Sequence, residues 1–297
     1  MKNVLLQYNL WLNCNQHCAF CYQGSNPRRF SEEEKTKSLR RFLSILKDDD
    51  FMSSYDDVAI IGGEIFDNKF TDENERLYFE CLSIIRDKME HNKLRSFNMN
   101  TNLLYEDTSM LTKTLDFFGD LQNRLHVVTS YDVKYRFHTE NSRLLFLSNL
   151  NKIDKEYPKV NKTVQSVVSS FFIDDVLNGR FDINQFEQKY HCEYNLNNVI
   201  HSDLVDRLGK DFFPKRDEYI KFLFFLKKTN LKLLQRFNVD KDDKDFIYCD
   251  PETDKIRVAN SMKLKRLSCG HYETYLMYSD CDKCTLCDTR MIQGKLQ

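Results

Sequence analysis

Apolar residues in this chain fall into short runs separated by longer stretches with helical spacing. Residues 3–12, in the main VLLQYNLWL, predict a buried strand. Ser31 with Glu34 three residues later forms a capping box, and it opens a helix to about Lys47 with Leu39, Phe42, Leu43 and Leu46 on one face. VAIIG at 58–62 predicts the second strand, a helix follows from about Asp72 to His91, and SFNMNT at 96–101 is the third strand. A helical stretch at 107–119 leads to HVVTSY at 126–131, a helix at 141–152 leads to TVQSVV at 163–168, and a largely helical 172–190 leads to CEYNLNNVI at 192–200. Six strands alternating with helices imply an α/β fold whose parallel sheet has right-handed crossovers, open or partly closed into a barrel.

In such a sheet, reactive groups belong at the carboxyl ends of the strands. The polar clusters sit there: a cysteine loop after strand one, Gly62-Gly63-Glu64 after strand two, Asn100-Thr101-Asn102 after strand three and Ser130-Tyr131-Asp132 after strand four. The pattern changes after about residue 200. Pro214 opens an amphipathic helix carrying Tyr219, Phe222, Leu223 and Leu226, and the charged run from Asp240 to Asp245 reads as a solvated loop. A hairpin (FIYC, DPETDK, IRVAN) and a cysteine-rich tail complete the chain. The expected organisation is a core domain at 1–200 and a helical, cysteine-rich cap domain at 201–297.

Composition narrows the class. The 41% hydrophobic and 13% aromatic content of the 297 residues excludes a disordered chain. Lys and Arg total 44 against 45 Asp and Glu, a net charge of -1, so no global field draws the protein to nucleic acid or an anionic membrane. The amino terminus lacks the features of a signal peptide and no stretch approaches the roughly 18 apolar residues of a membrane span, so a cytoplasmic location is expected. There, ten cysteines would be reduced thiols or metal ligands. Three lie between Cys14 and Cys21 and five between Cys249 and Cys287, while Cys81 and Cys192 read as small core residues.

Cys14, Cys18 and Cys21 form a C-x3-C-x2-C loop. Three thiolates this close can hold three corners of a cubane and leave one iron open to a substrate. The alternatives are a zinc site completed by His17 and simple packing. With Phe20 at the aromatic position before Cys21, and Tyr22 after it, the loop resembles the signature of the radical S-adenosylmethionine superfamily, C-x3-C-x-aromatic-C. The resemblance spans about residues 1–200. It implies a partial (β/α)6 barrel, a [4Fe–4S] cluster on the three cysteines, S-adenosylmethionine on the open iron, and one-electron cleavage to a 5′-deoxyadenosyl radical. It further implies that Gly62, Gly63 and Glu64 hold the cofactor's amino group, although Ile65 stands where relatives commonly have Pro. Asn100 and Ser130 become candidates for its carboxylate and ribose.

Cys281, Cys284 and Cys287 form C-x2-C-x2-C, preceded by Cys269 and, before the hairpin, Cys249. The layout resembles the SPASM and twitch extensions of the same superfamily, with Leu264 replacing the usual Gly before the second cysteine. It implies a second [4Fe–4S] cluster; structural zinc and unligated thiols are the other readings. The implied partners are an electron donor such as flavodoxin or ferredoxin and a peptide or small-molecule substrate. Hydrogen abstraction from a peptide or protein side chain is the leading expectation. Modification of a nucleoside or nucleic-acid base, and a non-catalytic metal-binding docking role, are the alternatives. The catalytic residues and reaction outcome stay unassigned by sequence.

Overall fold

The structure is a computed structural model that describes residues 4–18, 21, 29–67, 70–197, 210–238, 246–250 and 255–259. Six strands alternate with helices: β1 (Leu5–Trp11), β2 (Asp57–Gly62), β3 (Ser96–Asn100), β4 (Leu125–Ser130), β5 (Asn161–Val167) and β6 (Glu193–Asn197). The connections are α1 (Glu32–Lys47) with the one-turn α2 (Asp49–Met52), then α3 (Asp72–Glu90), α4 (Ser109–Phe118), α5 (Glu140–Glu156), and the pair α6 (Ser170–Leu177) and α7 (Ile183–Tyr190). Each strand pairs in parallel with the next. Two helices, α8 (Arg216–Thr229) and α9 (Leu231–Asn238), precede β7 (Phe246–Asp250) and β8 (Lys255–Ala259).

Alternation along the strands sorts the two faces of the sheet. In β1, Leu6, Tyr8 and Leu10 are buried while Gln7 and Asn9 are half-buried, and β4, β5 and β6 repeat the period. The apolar face meets the helices: Tyr8 stacks on Phe42 of α1 at 4.5 Å between ring centroids, and Phe97 on Phe118 of α4 at 5.5 Å. The helices therefore cover one face, and the other is the inside of an open, partial barrel.

The expected starts of the helices are present. Ser31 and Glu34 form the capping box of α1, with the Ser31 N–H donating to the Glu34 carboxylate at 2.8 Å. The stretch expected as largely helical at 172–190 is two helices, because Gly179 adopts φ +70° after α6 and Asp182 then caps α7. The expected hairpin forms too, with β7 and β8 antiparallel. Its position is not one the sequence indicates. β7 runs parallel to β1, from Leu5 opposite Phe246 to Tyr8 opposite Cys249, so the sheet order is β6-β5-β4-β3-β2-β1-β7-β8. Strands from the carboxyl-terminal region continue the sheet of the core.

Candidate active site

The cysteine loop leaves the carboxyl end of β1 and is pinned at its base. Asn13 donates from Nδ2 to the Phe30 carbonyl at 3.2 Å and accepts the Phe30 N–H on Oδ1 at 2.8 Å, clamping the two ends of the loop together. Cys14, Cys18 and Cys21 are all partly buried, and a turn closed by Cys21 N–H on Cys18 C=O at 3.0 Å brings the last two together. Burial pushes the Cys14 and Cys18 thiols up. Cys14 is raised further by Glu64 and Cys18, against the hydrogen bonds of Gln16 and Asn102. Cys18 is held back by Arg136 and raised by Cys21 and Asp132. The thiols are thus in electrostatic reach of one another. Among the described residues no three His, Cys, Asp or Glu side chains converge on a single ion. A cubane asks for a different arrangement, in which each thiolate binds its own iron.

The two glycines after β2 admit backbone, and the backbone is the chain's own. A Cβ on Gly62, at φ +147°, would lie 2.1 Å from the Trp11 carbonyl oxygen, and one on Gly63 would lie 1.9 Å from that of Asn13. The close approach lets Gly63 N–H donate to Trp11 C=O at 2.9 Å and Glu64 N–H to Asn13 C=O at 2.7 Å. Together these bonds lock the turn after β2 against the first residues of the cysteine loop.

Glu64 is fully buried. Its carboxylate accepts the Phe66 N–H at 3.0 Å, the Thr101 hydroxyl at 3.0 and 3.1 Å, and the Asn102 N–H. Burial pushes its pKa up to about 7, against the pull of those donors and of Arg136. Strand three thus contributes more through Thr101 and Asn102 than through Asn100. The Asn102 side chain donates to Asn15 Oδ1 at 2.6 Å and to Cys14 Sγ at 3.7 Å, and accepts Leu104 N–H at 2.7 Å. Asn100 and Ser130 are half-buried at their strand ends, and among the described residues their side chains make no hydrogen bond.

Arg136, in the segment after β4, escaped the sequence reading. It is 6% exposed, and its Nε has no hydrogen-bond partner among the described residues. Its positive charge pulls down Glu64, Asp132 and Cys18. Asp132, raised by burial to about 6, accepts the Lys134 and Tyr135 N–H groups at 3.1 and 2.7 Å and so shapes the turn that delivers Arg136. The available signal was a single Arg set between two aromatic residues after strand four, Tyr135-Arg136-Phe137. A buried guanidinium with an unsatisfied donor favours an anion, and one in electrostatic reach of the Cys18 thiol and the buried Glu64 carboxylate favours a ligand that is anionic at one end and cationic at the other.

Phe20 lies outside the described residues, as do Cys269, Cys281, Cys284 and Cys287. Cys249 lies on β7 in register with Tyr8. Cys81 is buried within α3, as a packed thiol should be, and Cys192 sits just ahead of β6.

A parallel sheet of this order, with a three-cysteine loop at the carboxyl end of β1, has the architecture of the partial (β/α)6 barrel that the resemblance implies. Solved structures share it. The chain superposes on "Native anSMEcpe with bound AdoMet" with a TM-score of 0.51 at 18% identity, covering 76% of this chain and 60% of that one. It superposes on "Native anSMEcpe with bound AdoMet and Cp18Cys peptide" with a TM-score of 0.54 at 16% identity, covering 98% and 88%. That protein is an anaerobic sulfatase-maturating enzyme of the radical S-adenosylmethionine superfamily. No protein-family model and no curated protein matches the chain. No helix among the described residues is long and apolar enough to cross a membrane.

Proposed function

We propose that this chain is a radical S-adenosylmethionine enzyme acting on a peptide or protein side chain. The meeting of the cysteine loop, buried Glu64 and unpaired Arg136 carries the reading, because the three fit the parts of one zwitterionic cofactor bound beside a cluster. Cys14, Cys18 and Cys21 would hold three irons of a [4Fe–4S] cluster. Glu64 would accept hydrogen bonds from the amino group, Arg136 would take the carboxylate, and Asn100 and Ser130 offer unengaged polar side chains at the strand ends. When bound, cluster and cofactor supply one-electron cleavage of a carbon–sulfur bond and hydrogen abstraction from a substrate. Asn13 and the two glycines keep the loop and the carboxylate in fixed relation. The peptide assignment draws support from the fold neighbour described with a bound peptide.

Cys249, Cys269, Cys281, Cys284 and Cys287 would bind a second metal centre, a [4Fe–4S] cluster or zinc, and an electron donor such as flavodoxin or ferredoxin would reduce the protein. Anaerobic reconstitution tests both centres. The reduced protein should convert S-adenosylmethionine to 5′-deoxyadenosine and methionine, and the Cys14→Ala, Cys18→Ala, Cys21→Ala triple variant should not. A triple variant that still cleaves the cofactor would sink the assignment. About eight irons per chain marks two cubanes, and about four irons with one zinc marks the alternative.

A further inference from the structure

The segment after β3, from Thr101 to Tyr105, turns back on itself. Leu103 stands at φ +57°, in the left-handed region that a bulky side chain avoids, and it is fully buried. Asn149 of α5 holds the chain there, its buried side-chain amide donating to Leu103 C=O at 3.0 Å and to Tyr105 C=O at 2.8 Å. Asn15 of the cysteine loop donates to Leu104 C=O at 2.7 Å. What the turn achieves is the placing of Tyr105, which is 3% exposed with its hydroxyl 3.0 Å from Thr101 Oγ1. Strained backbone held by side chains from two other elements points to a function for the residue it places.

Thr101 stands between Tyr105 and Glu64. A hydroxyl has one proton and two lone pairs. At Thr101 the Leu103 N–H takes one lone pair at 3.2 Å, and the Glu64 carboxylate, with oxygens at 3.0 and 3.1 Å, takes the proton. One lone pair is left, so the Tyr105 O–H is the donor of the remaining contact. Burial, and then Glu64, push the Tyr105 phenol well above its ordinary pKa, so its proton stays on. Donation therefore runs one way, from Tyr105 to Thr101 to Glu64. A proton on Glu64 that turned toward Thr101 would reverse the chain. Thr101 would then donate to Tyr105, and the Tyr105 O–H would lose the hydrogen bond it makes among the described residues. A buried donor without an acceptor is costly, so the chain favours the carboxylate over the acid.

We infer that Tyr105 is a positioning residue for Glu64: through Thr101 its hydroxyl fixes the carboxylate as an acceptor, so that an amino group arriving at Glu64 meets no proton there. The inference rests on the proposed function in naming that amino group as the cofactor's; the donor chain stands without it. The other groups in electrostatic reach of Glu64 are Arg136, which lowers it, and the Cys14 thiol, while Asp67 and Tyr78 face Tyr105. Among the described residues none of these four bonds the Thr101 hydroxyl, so removing the Tyr105 hydroxyl breaks the chain at its source. Tyr78 is a phenol as deeply buried, bonded to Thr114 at 3.2 Å and outside the chain.

The test compares the full-length wild type with Tyr105→Phe, which removes the O–H and keeps the ring, and with Tyr78→Phe, which removes a buried hydroxyl elsewhere. Before reconstitution, carbon-13 NMR of side-chain-labelled glutamate, with Glu64 assigned by its loss in Glu64→Gln, follows the carboxyl through a pH titration. Glu64 should release its proton about one pH unit higher in Tyr105→Phe and at the wild-type pH in Tyr78→Phe. After anaerobic reconstitution, equilibrium dialysis should show S-adenosylmethionine bound about tenfold more weakly by Tyr105→Phe at about pH 6, converging on wild type toward about pH 9. If Tyr105→Phe fails to fold, Thr101→Val, which cuts the chain at its next link, takes its place with the same expected shift. A wild-type Glu64 midpoint in the variant overturns the inference, and so does a loss of affinity of equal size at every pH, which marks a merely structural role. Failure of wild type to bind the cofactor overturns the proposed function separately, and the NMR titration then decides the inference alone.

Discussion

The side-chain amide of Asn102 stands 3.7 Å from the sulfur of Cys14 and donates to it, while the main-chain N–H of the same residue donates to Glu64. A hydrogen bond to a cluster thiolate favours the reduced, more negative state and raises the reduction potential. Asn102→Asp keeps the oxygen that accepts Leu104 N–H and loses the donor, so the cluster should remain at full iron content with a more negative midpoint. Potentiometric titration followed by electron paramagnetic resonance measures this directly. An unchanged midpoint would mean that Asn102 only braces the loop.

Gly63→Ala should cost more than about 3 kcal/mol, since its Cβ would sit 1.9 Å from main chain that cannot swing aside. Iron uptake should fall with it, because the displaced backbone is that of Asn13, beside Cys14. Gly179→Ala is the comparison: its Cβ meets nothing within 4 Å, and only the φ of +70° opposes it, for about 1 kcal/mol. Urea unfolding of the two variants should rank them in that order.

Glu64 makes the metal-free protein less stable as pH rises. Its pKa is about 7 in the folded state against 4.5 for an ordinary glutamate, so between those values the unfolded chain gives up a proton that the folded chain keeps. Stability is fully present below about 4.5 and falls toward 7, by about 3 kcal/mol for a shift of that size. Asp132, raised to about 6, adds a slope of the same sign at lower pH. Urea midpoints from pH 4.5 to 7.5 should show the decline, and Glu64→Gln should flatten its upper part. The same variant places an amide N–H against the donors of Phe66 or Asn102, so it should be destabilised by about 1–3 kcal/mol even where the slope is gone.

Arg136→Leu should leave iron content intact and weaken S-adenosylmethionine binding by at least about tenfold, the scale of a lost charged hydrogen bond. Arg136→Lys should recover part of the loss. Equilibrium dialysis decides, and wild-type affinity in the leucine variant would take Arg136 out of the site.

Local signals in the sequence were enough for the six core strands, for the capping box at Ser31 and for the cysteine spacing, because period, cap and loop chemistry are each set by residues close in the chain. The break at Gly179 was also local and was passed over within a helical stretch. Arg136 and Asn102 belong to a different category. Their roles depend on loops after strands four and three folding back over Cys18 and Cys14, and no spacing rule relates residues so distant. Glu64 was readable as a site residue, yet its engagement by Phe66, Thr101 and Asn102 appears only once those loops are placed.

Pairing of β7 with β1 has a consequence for how the chain can be shortened. Without β7, β1 would be an edge strand, showing an unpaired row of N–H and C=O groups along LLQYNLW. Nothing in that stretch is charged, and it holds no proline, so it lacks the usual protection against strand-to-strand self-association. A chain cut after α9 would keep the cysteine loop and every residue around Glu64, yet should assemble through β1 into dimers or aggregates. The hairpin acts as a shield for the strand that carries the cluster loop.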